Sequence, residues 1–487
     1  MAAADGGVVS RRRTPDADPA TGWATDRVAV EVAVIGAGQA GVGAARAAAA
    51  ALGPDGGRVV LVGDARPGGA ARLVADGGVL RECAARGLDW HATLAHLRTV
   101  RGAVEDACRD AALRADGVDP LPGRARLLGA GRVAIEAIGP SAAHVPPLIT
   151  ARRIVLATGD EDRLPDVSGL ADTRHLTATG LLGLAELPPT MVVIGGGPHG
   201  CELAQALAGF GVHVTLVEAA GRLLPREHPD ASALVTAALR EDGVRVFTGS
   251  PAVKAAPTLD GGAWIGIEAG GDVAADGLLI ATGRRAAVRD LDLPGAGVRL
   301  TGEGWVRVDE RLGTTGTGVL AVGRVTGLLP HGTTDPLMAR VAGANAAARR
   351  PRERWTAQGL PRVVRTDPAV GVVGVPPDAA ASVPGARVSD LPYRGLERAL
   401  LSDRPAGLIS LVAGPPRAAG WAGRGDPASA LLGASIVGPQ AGELVGMAAL
   451  ALRSGLTVEE LARAPLSSRT WGVALRDAAA GFGACAS

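Results

Sequence analysis

Apolar residues along this chain fall into short β-branched runs that alternate with Ala-rich stretches. VAVEVAVI (Val28 to Ile35) ends as a continuous apolar run, the pattern of a strand buried on both faces of a parallel sheet. It passes into a Gly-rich turn and then into the Ala-rich GVGAARAAAAAL, which predicts a helix. A further strand is expected over Val59–Val62. MVVI (191–194), another Gly-rich turn, the helical CELAQALAGFG and the strand VHVTLVE repeat that order. Two more apolar runs, IVLATGD and LLIATGRR, each end in Ala-Thr-Gly. Strand, turn, helix and strand, met twice, predict two doubly wound α/β units.

The two turns carry the chemistry. Gly36-Ala37-Gly38-Gln39-Ala40-Gly41 is G-x-G-x-x-G between a strand and a helix. Gly36 permits the tight turn, Gly38 lets a pyrophosphate approach the backbone, and Gly41 lets helix and strand pack closely. The helix N-terminus then offers free N–H groups and a positive dipole end to phosphates. Gly195-Gly196-Gly197-Pro198-His199-Gly200 repeats the frame, with Gly195, Gly197 and Gly200 in the same roles. The next strand ends at Glu218, an acid placed to accept from a ribose 2′-OH and to repel a 2′-phosphate, which favours NADH over NADPH. Arg222, four residues on, would offset that preference if its loop folds back. In the first frame the residue after the strand is Gly63, and the acid, Asp64, arrives one position late. The Ala-Thr-Gly ends place Thr158, Gly159 and Gly283 at the close of each unit.

Composition narrows the picture. A chain of 487 residues predicts two to four domains. Aromatic residues make up only 2%, so ring stacking is no general strategy here, and a net charge of +1 gives no field to draw nucleic acid or an anionic membrane. Residues 1–27 lack the apolar core of a signal peptide and read as a disordered leader. LLGASIVGPQAGELVGMAALAL is interrupted by Pro439 and Glu443, so no membrane span is expected. Cys83, Cys108, Cys201 and Cys485 show no C-x-x-C or metal spacing, and the chain reads as cytoplasmic. The histidines, His199 and His331 among them, form no ligand motif and read as structural, so no metal site is expected.

In chain order, GAGQAG, the Gly68-Gly69 pair, the first Ala-Thr-Gly, GGGPHG with Glu202 and Glu218, ATGRR, VRVDERLGTTGTGVLAVG and LLGASIVGPQAGELVGMAALALRSGLTVEELA are similar to the pyridine nucleotide–disulfide oxidoreductases of the dihydrolipoamide dehydrogenase group. The resemblance runs from Val28 to Asp477. It implies two Rossmann-like dinucleotide-binding domains, an FAD domain (28–165 and 286–350) interrupted by an NAD domain (166–285), followed by an α+β dimerisation domain (351–487). It also implies a homodimer. FAD would lie on Gly36, Gly38, Gly41, Asp64, Gly68, Gly69, Thr158 and Gly159, with Arg324 nearby. NAD would lie on Gly195, Gly197, Gly200, Glu202, Glu218 and Gly283.

The departures from that family shape the expected function. Its two redox cysteines fall at Ala71 and Asp76. Its Lys falls at Leu80, or at Arg81 if the loop is one residue longer, where it either pairs with Glu202 or is a surface Arg. The C-terminal H-x-H-P-x-x-x-E motif has Ala464 for the His and Arg469 for the Glu. The acid after VLAVG is Arg324, which cannot accept a hydrogen bond from a flavin ribityl chain and would instead reach the FAD pyrophosphate or weaken flavin binding. Asp335-Pro336 opens a helix expected to point at the flavin. Gly68-Gly69-Ala70-Ala71 resembles a disulfide-free, quinone-reducing branch. The expectation is an FAD-dependent oxidoreductase that takes electrons from NADH to a small non-disulfide acceptor such as a quinone, with no side chain assigned to catalysis. Two alternatives stand beside it: a degenerate nucleotide-binding dimer, and a biosynthetic flavoenzyme whose emptied pocket is lined by Arg72, Asp76 and Arg81.

Overall fold

The β-branched run Val28–Ile35 forms the central strand of a parallel sheet, and Val32, Ala33 and Val34 are fully buried. Such a strand is covered on both faces, which is why its sequence shows no alternation. The computed structural model describes residues 28–63, 76–106, 110–139, 142–268, 271–329, 331, 336–419 and 429–484. Strands run in the order 118–127, 59–63, 28–35, 148–156 and 319–321, all parallel. The far ends of the first and fourth of these curl toward each other and hold Arg132–Ala137 antiparallel between them. The strand Val319–Ala321 completes this sheet after the chain has built a second unit, so the first unit is discontinuous in sequence.

That second unit has a four-stranded parallel sheet ordered 277–280, 190–194, 213–217 and 245–247. A three-stranded antiparallel sheet over 252–275 accompanies it. Where the chain enters and leaves the unit, Asp160–Asp162 pairs antiparallel with Arg284–Ala286. Arg284 binds both Asp160 and Asp162 across that crossing, and Arg285 binds Glu161. The last unit is a five-stranded antiparallel sheet ordered 362–364, 369–374, 430–438, 408–414 and 387–392. Ala441–Ser454 and Val473–Ala484 pack on it, and every residue of Ala430–Gly438 is buried. No helix among the described residues is long and apolar enough to cross a membrane.

Candidate functional site

The two Gly-rich turns are built alike. Gly36 and Gly195 both have φ of 110°, a conformation that glycine alone adopts at low cost. A Cβ at Gly41 would lie 1.8 Å from the Gly36 carbonyl oxygen, and one at Gly200 would lie 1.7 Å from the Gly195 carbonyl oxygen. These glycines are required by the protein's own packing. Gly38 and Gly197 differ. Each caps its helix in an extended conformation, and a Cβ there would meet no protein atom within 4 Å. Both turns thus leave a helix N-terminus open at the position where a pyrophosphate would approach. The Oγ1 of Thr158 beside the first turn is buried and has no hydrogen-bond partner among the described residues. A buried donor without a partner is costly, and a bound cofactor would supply one. The residues present therefore fit a dinucleotide in each frame. Gly283 has φ of 118° and open space around it, and Gly159 has φ of 76°. Asp64, Gly68, Gly69, Ala71, Asp335 and the leader lie outside the described residues.

The register of the sheets explains Gly63. Ile35 pairs with Val62 as Ile194 pairs with Val217, so Gly63 occupies the position of Glu218. A side chain at 63 would press on Ala37, with its Cβ 2.7 Å from the Ala37 Cβ. In the second frame the residue facing Glu218 is Gly196, whose backbone N–H donates to Glu218 Oε2 at 2.6 Å. The Ala220 N–H donates to Oε1 at 2.6 Å. Each frame therefore has one glycine at this contact, on opposite strands. Arg222 does not fold back toward the ribose position, because its guanidinium donates to the carbonyls of Pro225 and Glu227.

Arg324 has an acid beside it. It lies 3.7 Å from Asp160, the buried carboxylate that also receives Arg284. An acid is thus present beside Arg324, contributed by the strand 160–162.

The position of the family's second redox cysteine is a helix cap. Asp76 accepts from the Gly78 N–H at 2.9 Å, and Arg365 binds its other oxygen at 2.8 Å. Gly77 follows, and a Cβ there would lie 2.6 Å from the Cβ of Glu202. The helix Gly77–Ala85 can approach Pro198–Gly209 this closely only because that residue is glycine. Arg81 turns away from Glu202. It donates to the Arg365 carbonyl at 3.3 Å and lies 4.0 Å from Asp367, while Leu80 is buried.

Glu202 finds other partners. It is fully buried, and its Oε1 accepts from the Arg365 N–H at 2.7 Å and lies 3.1 Å from His331 Nε2. Its Oε2 lies 3.6 Å from His199 Nδ1, beyond hydrogen-bond reach. Burial alone would push its pKa up, but the two imidazoles outweigh burial and hold it well below the usual carboxylate range. From the sequence, His199 and His331 read alike as structural, because no motif or spacing marks either as a partner of Glu202. Cys83 and Cys201 are both free and buried. Burial pushes each thiol up, against the thiolate that disulfide chemistry needs. Where the family's C-terminal Glu would be, Arg469 makes a surface ion pair with Glu397 at 3.1 Å.

Two dinucleotide frames of this construction, joined to an antiparallel C-terminal sheet, define a flavin- and nicotinamide-linked oxidoreductase architecture. The family model for pyridine nucleotide-disulphide oxidoreductases matches residues 30–349, and that family's dimerisation domain matches 360–470. The chain belongs to this family, whose members bind FAD and NAD(P)H. It is 34% identical to a mercuric reductase of Acidithiobacillus ferrooxidans, over 64% of this chain and 54% of that protein. It is 27% identical to a dihydrolipoyl dehydrogenase of Chlamydia muridarum, over 76% of each. The chain spans about half the length of the mercuric reductases it matches. Among solved structures, LpdA of Mycobacterium tuberculosis superimposes with a TM-score of 0.77 at 27% identity, covering 93% of this chain and 99% of that one. The HOCl-induced flavoprotein disulfide reductase RclA of Escherichia coli, as its Cu(II) complex, superimposes with a TM-score of 0.79 at 24% identity, covering 93% and 99%.

Proposed function

We propose that this chain is an FAD-dependent NADH oxidoreductase that delivers electrons to a small non-disulfide acceptor, of which a quinone is the simplest. The observation that carries this reading is Asp76: a carboxylate tied to Arg365 and to its own helix stands where a thiol would be. The two described cysteines are free and buried, and burial pushes both thiols up. The reaction balances as NADH, a proton and a quinone giving NAD⁺ and a hydroquinone. Bound FAD supplies the two-electron relay between them. The chain's own residues bind and orient. Gly38 and Gly197 leave two helix N-termini open to pyrophosphates, and Glu218 reads the ribose.

The test is turnover by the purified chain with added FAD and NADH. We expect NADH oxidation with a soluble quinone and none with lipoamide or an aromatic disulfide. Equal turnover of a disulfide would overturn the acceptor. Failure to take up FAD at saturating concentration would favour a degenerate nucleotide-binding dimer.

Nucleotide choice follows from Glu218. A hydrogen bond to a charged group is worth about 1.5–3 kcal/mol, so NADH should bind about tenfold tighter than NADPH or better. Titration with both nucleotides decides this, and equal affinity removes the role assigned to Glu218.

We also propose a homodimer formed through the C-terminal unit. The helix Ala441–Ser454 buries Leu444, Val445 and Leu452 on its own sheet, while Met447 and Leu450 are 40% and 70% exposed. Light scattering should report twice the 48.6 kDa of one chain; a clean monomer at micromolar concentration would refute it.

A further inference from the structure

We infer that His199, Glu202 and His331 form a binding site for one divalent transition-metal ion of borderline softness, the class represented by Zn(II). One ligand atom from each residue lies within 4.8 Å of the others. Metal–ligand bonds of about 2.0–2.2 Å in tetrahedral geometry place ligand atoms about 3.3 Å apart. His331 Nε2 lies 3.1 Å from Glu202 Oε1 and His199 Nδ1 lies 3.6 Å from Glu202 Oε2, so the two rings flank the two oxygens of one carboxylate at separations on either side of that value.

A second observation points to the same centre. Glu202 is fully buried, yet its Oε2 has no hydrogen-bond partner among the described residues, and neither has His199 Nδ1. Two orphaned polar atoms that face each other at a distance too long for a hydrogen bond are what a shared cation would satisfy. The two imidazoles meet edge to face, with ring centroids 5.4 Å apart. That crossing lets both rings direct nitrogens toward one carboxylate.

The surroundings favour a metal over simple charge pairing. Glu202 is already anchored by the Arg365 N–H at 2.7 Å, which fixes the carboxylate as an outer contact fixes a metal ligand. The histidine side chains are 30% and 24% exposed, which gives an ion a path from solvent. Two nitrogens and one oxygen suit Zn(II), Cu(II) and related ions, whereas Mg(II) and Ca(II) prefer an all-oxygen set. Three protein ligands leave a fourth position open. This inference does not depend on the acceptor proposed above, because binding is read without turnover.

The experiment is titration of Zn(II) into the full-length, chelator-treated chain by calorimetry, with the bound metal counted after dialysis. One Zn(II) per chain is expected. His199→Ala and His331→Ala should each weaken binding by about 10–100-fold or more, since loss of even an outer-shell contact costs that much. His331→Gln keeps a donor to Glu202 but is a poor zinc ligand, so it should lose the metal while retaining the fold by circular dichroism. His213→Ala, an exposed histidine elsewhere on the surface, should bind as wild type. No Zn(II) uptake up to millimolar concentration overturns the site. So does binding that survives both His199→Ala and His331→Gln.

Discussion

Gly197→Ala is expected to remove most NADH affinity and leave the melting temperature unchanged, whereas Gly200→Ala should unfold or deeply destabilise the same unit. The contrast comes from two glycines three residues apart in one motif. At Gly197 the backbone is extended and a Cβ meets no protein atom within 4 Å, so the fold has no use for glycine there. Only a ligand that packs against the backbone needs it. At Gly200 a Cβ would lie 1.7 Å from the Gly195 carbonyl oxygen, and neither backbone segment can move without separating strand from helix. A displaced pyrophosphate forfeits charge-assisted hydrogen bonds worth about 1.5–3 kcal/mol, a loss of about tenfold to a hundredfold. Gly38→Ala and Gly41→Ala should divide in the same way for FAD. Thermal melts beside ligand titrations check all four. Unchanged NADH binding by Gly197→Ala would mean that the second frame is a structural turn only.

Arg362→Ala should cost about 3 kcal/mol, at the low end of the range for breaking a buried pair because the Arg is partly solvated. Its guanidinium binds Glu227 through two contacts, 2.9 and 3.0 Å long. Glu227 is only 4% exposed and belongs to the nicotinamide unit, while Arg362 opens the first strand of the C-terminal sheet. Removing the Arg strands a carboxylate out of water, and that desolvation is the main cost. The double variant Glu227→Leu/Arg362→Leu should recover most of the loss, because it buries no charge. Urea unfolding of the three proteins tests this. A single variant as stable as wild type would show that the pair holds nothing together.

Much of the fold is legible in the sequence because its signals are local. The runs ending at Ile35 and Ile194, the glycines that follow, and the absence of thiols at Ala71 and Asp76 each depend on neighbours within a few residues. Strand periodicity and Gly spacing therefore identify two dinucleotide frames and their order. Only the tertiary structure decides how the departures are resolved, since each one is settled by a partner far along the chain. Arg324 meets Asp160, brought beside it by the sheet crossing that joins the two units. Gly63 has its reason in Ala37, across a parallel strand pair. Glu202 exchanges the family's Lys for His331, from a loop 129 residues away with no periodicity and no motif. Sequence patterns record what a residue needs from its own strand or helix; a buried carboxylate takes whichever polar partner the packing of distant loops brings within reach.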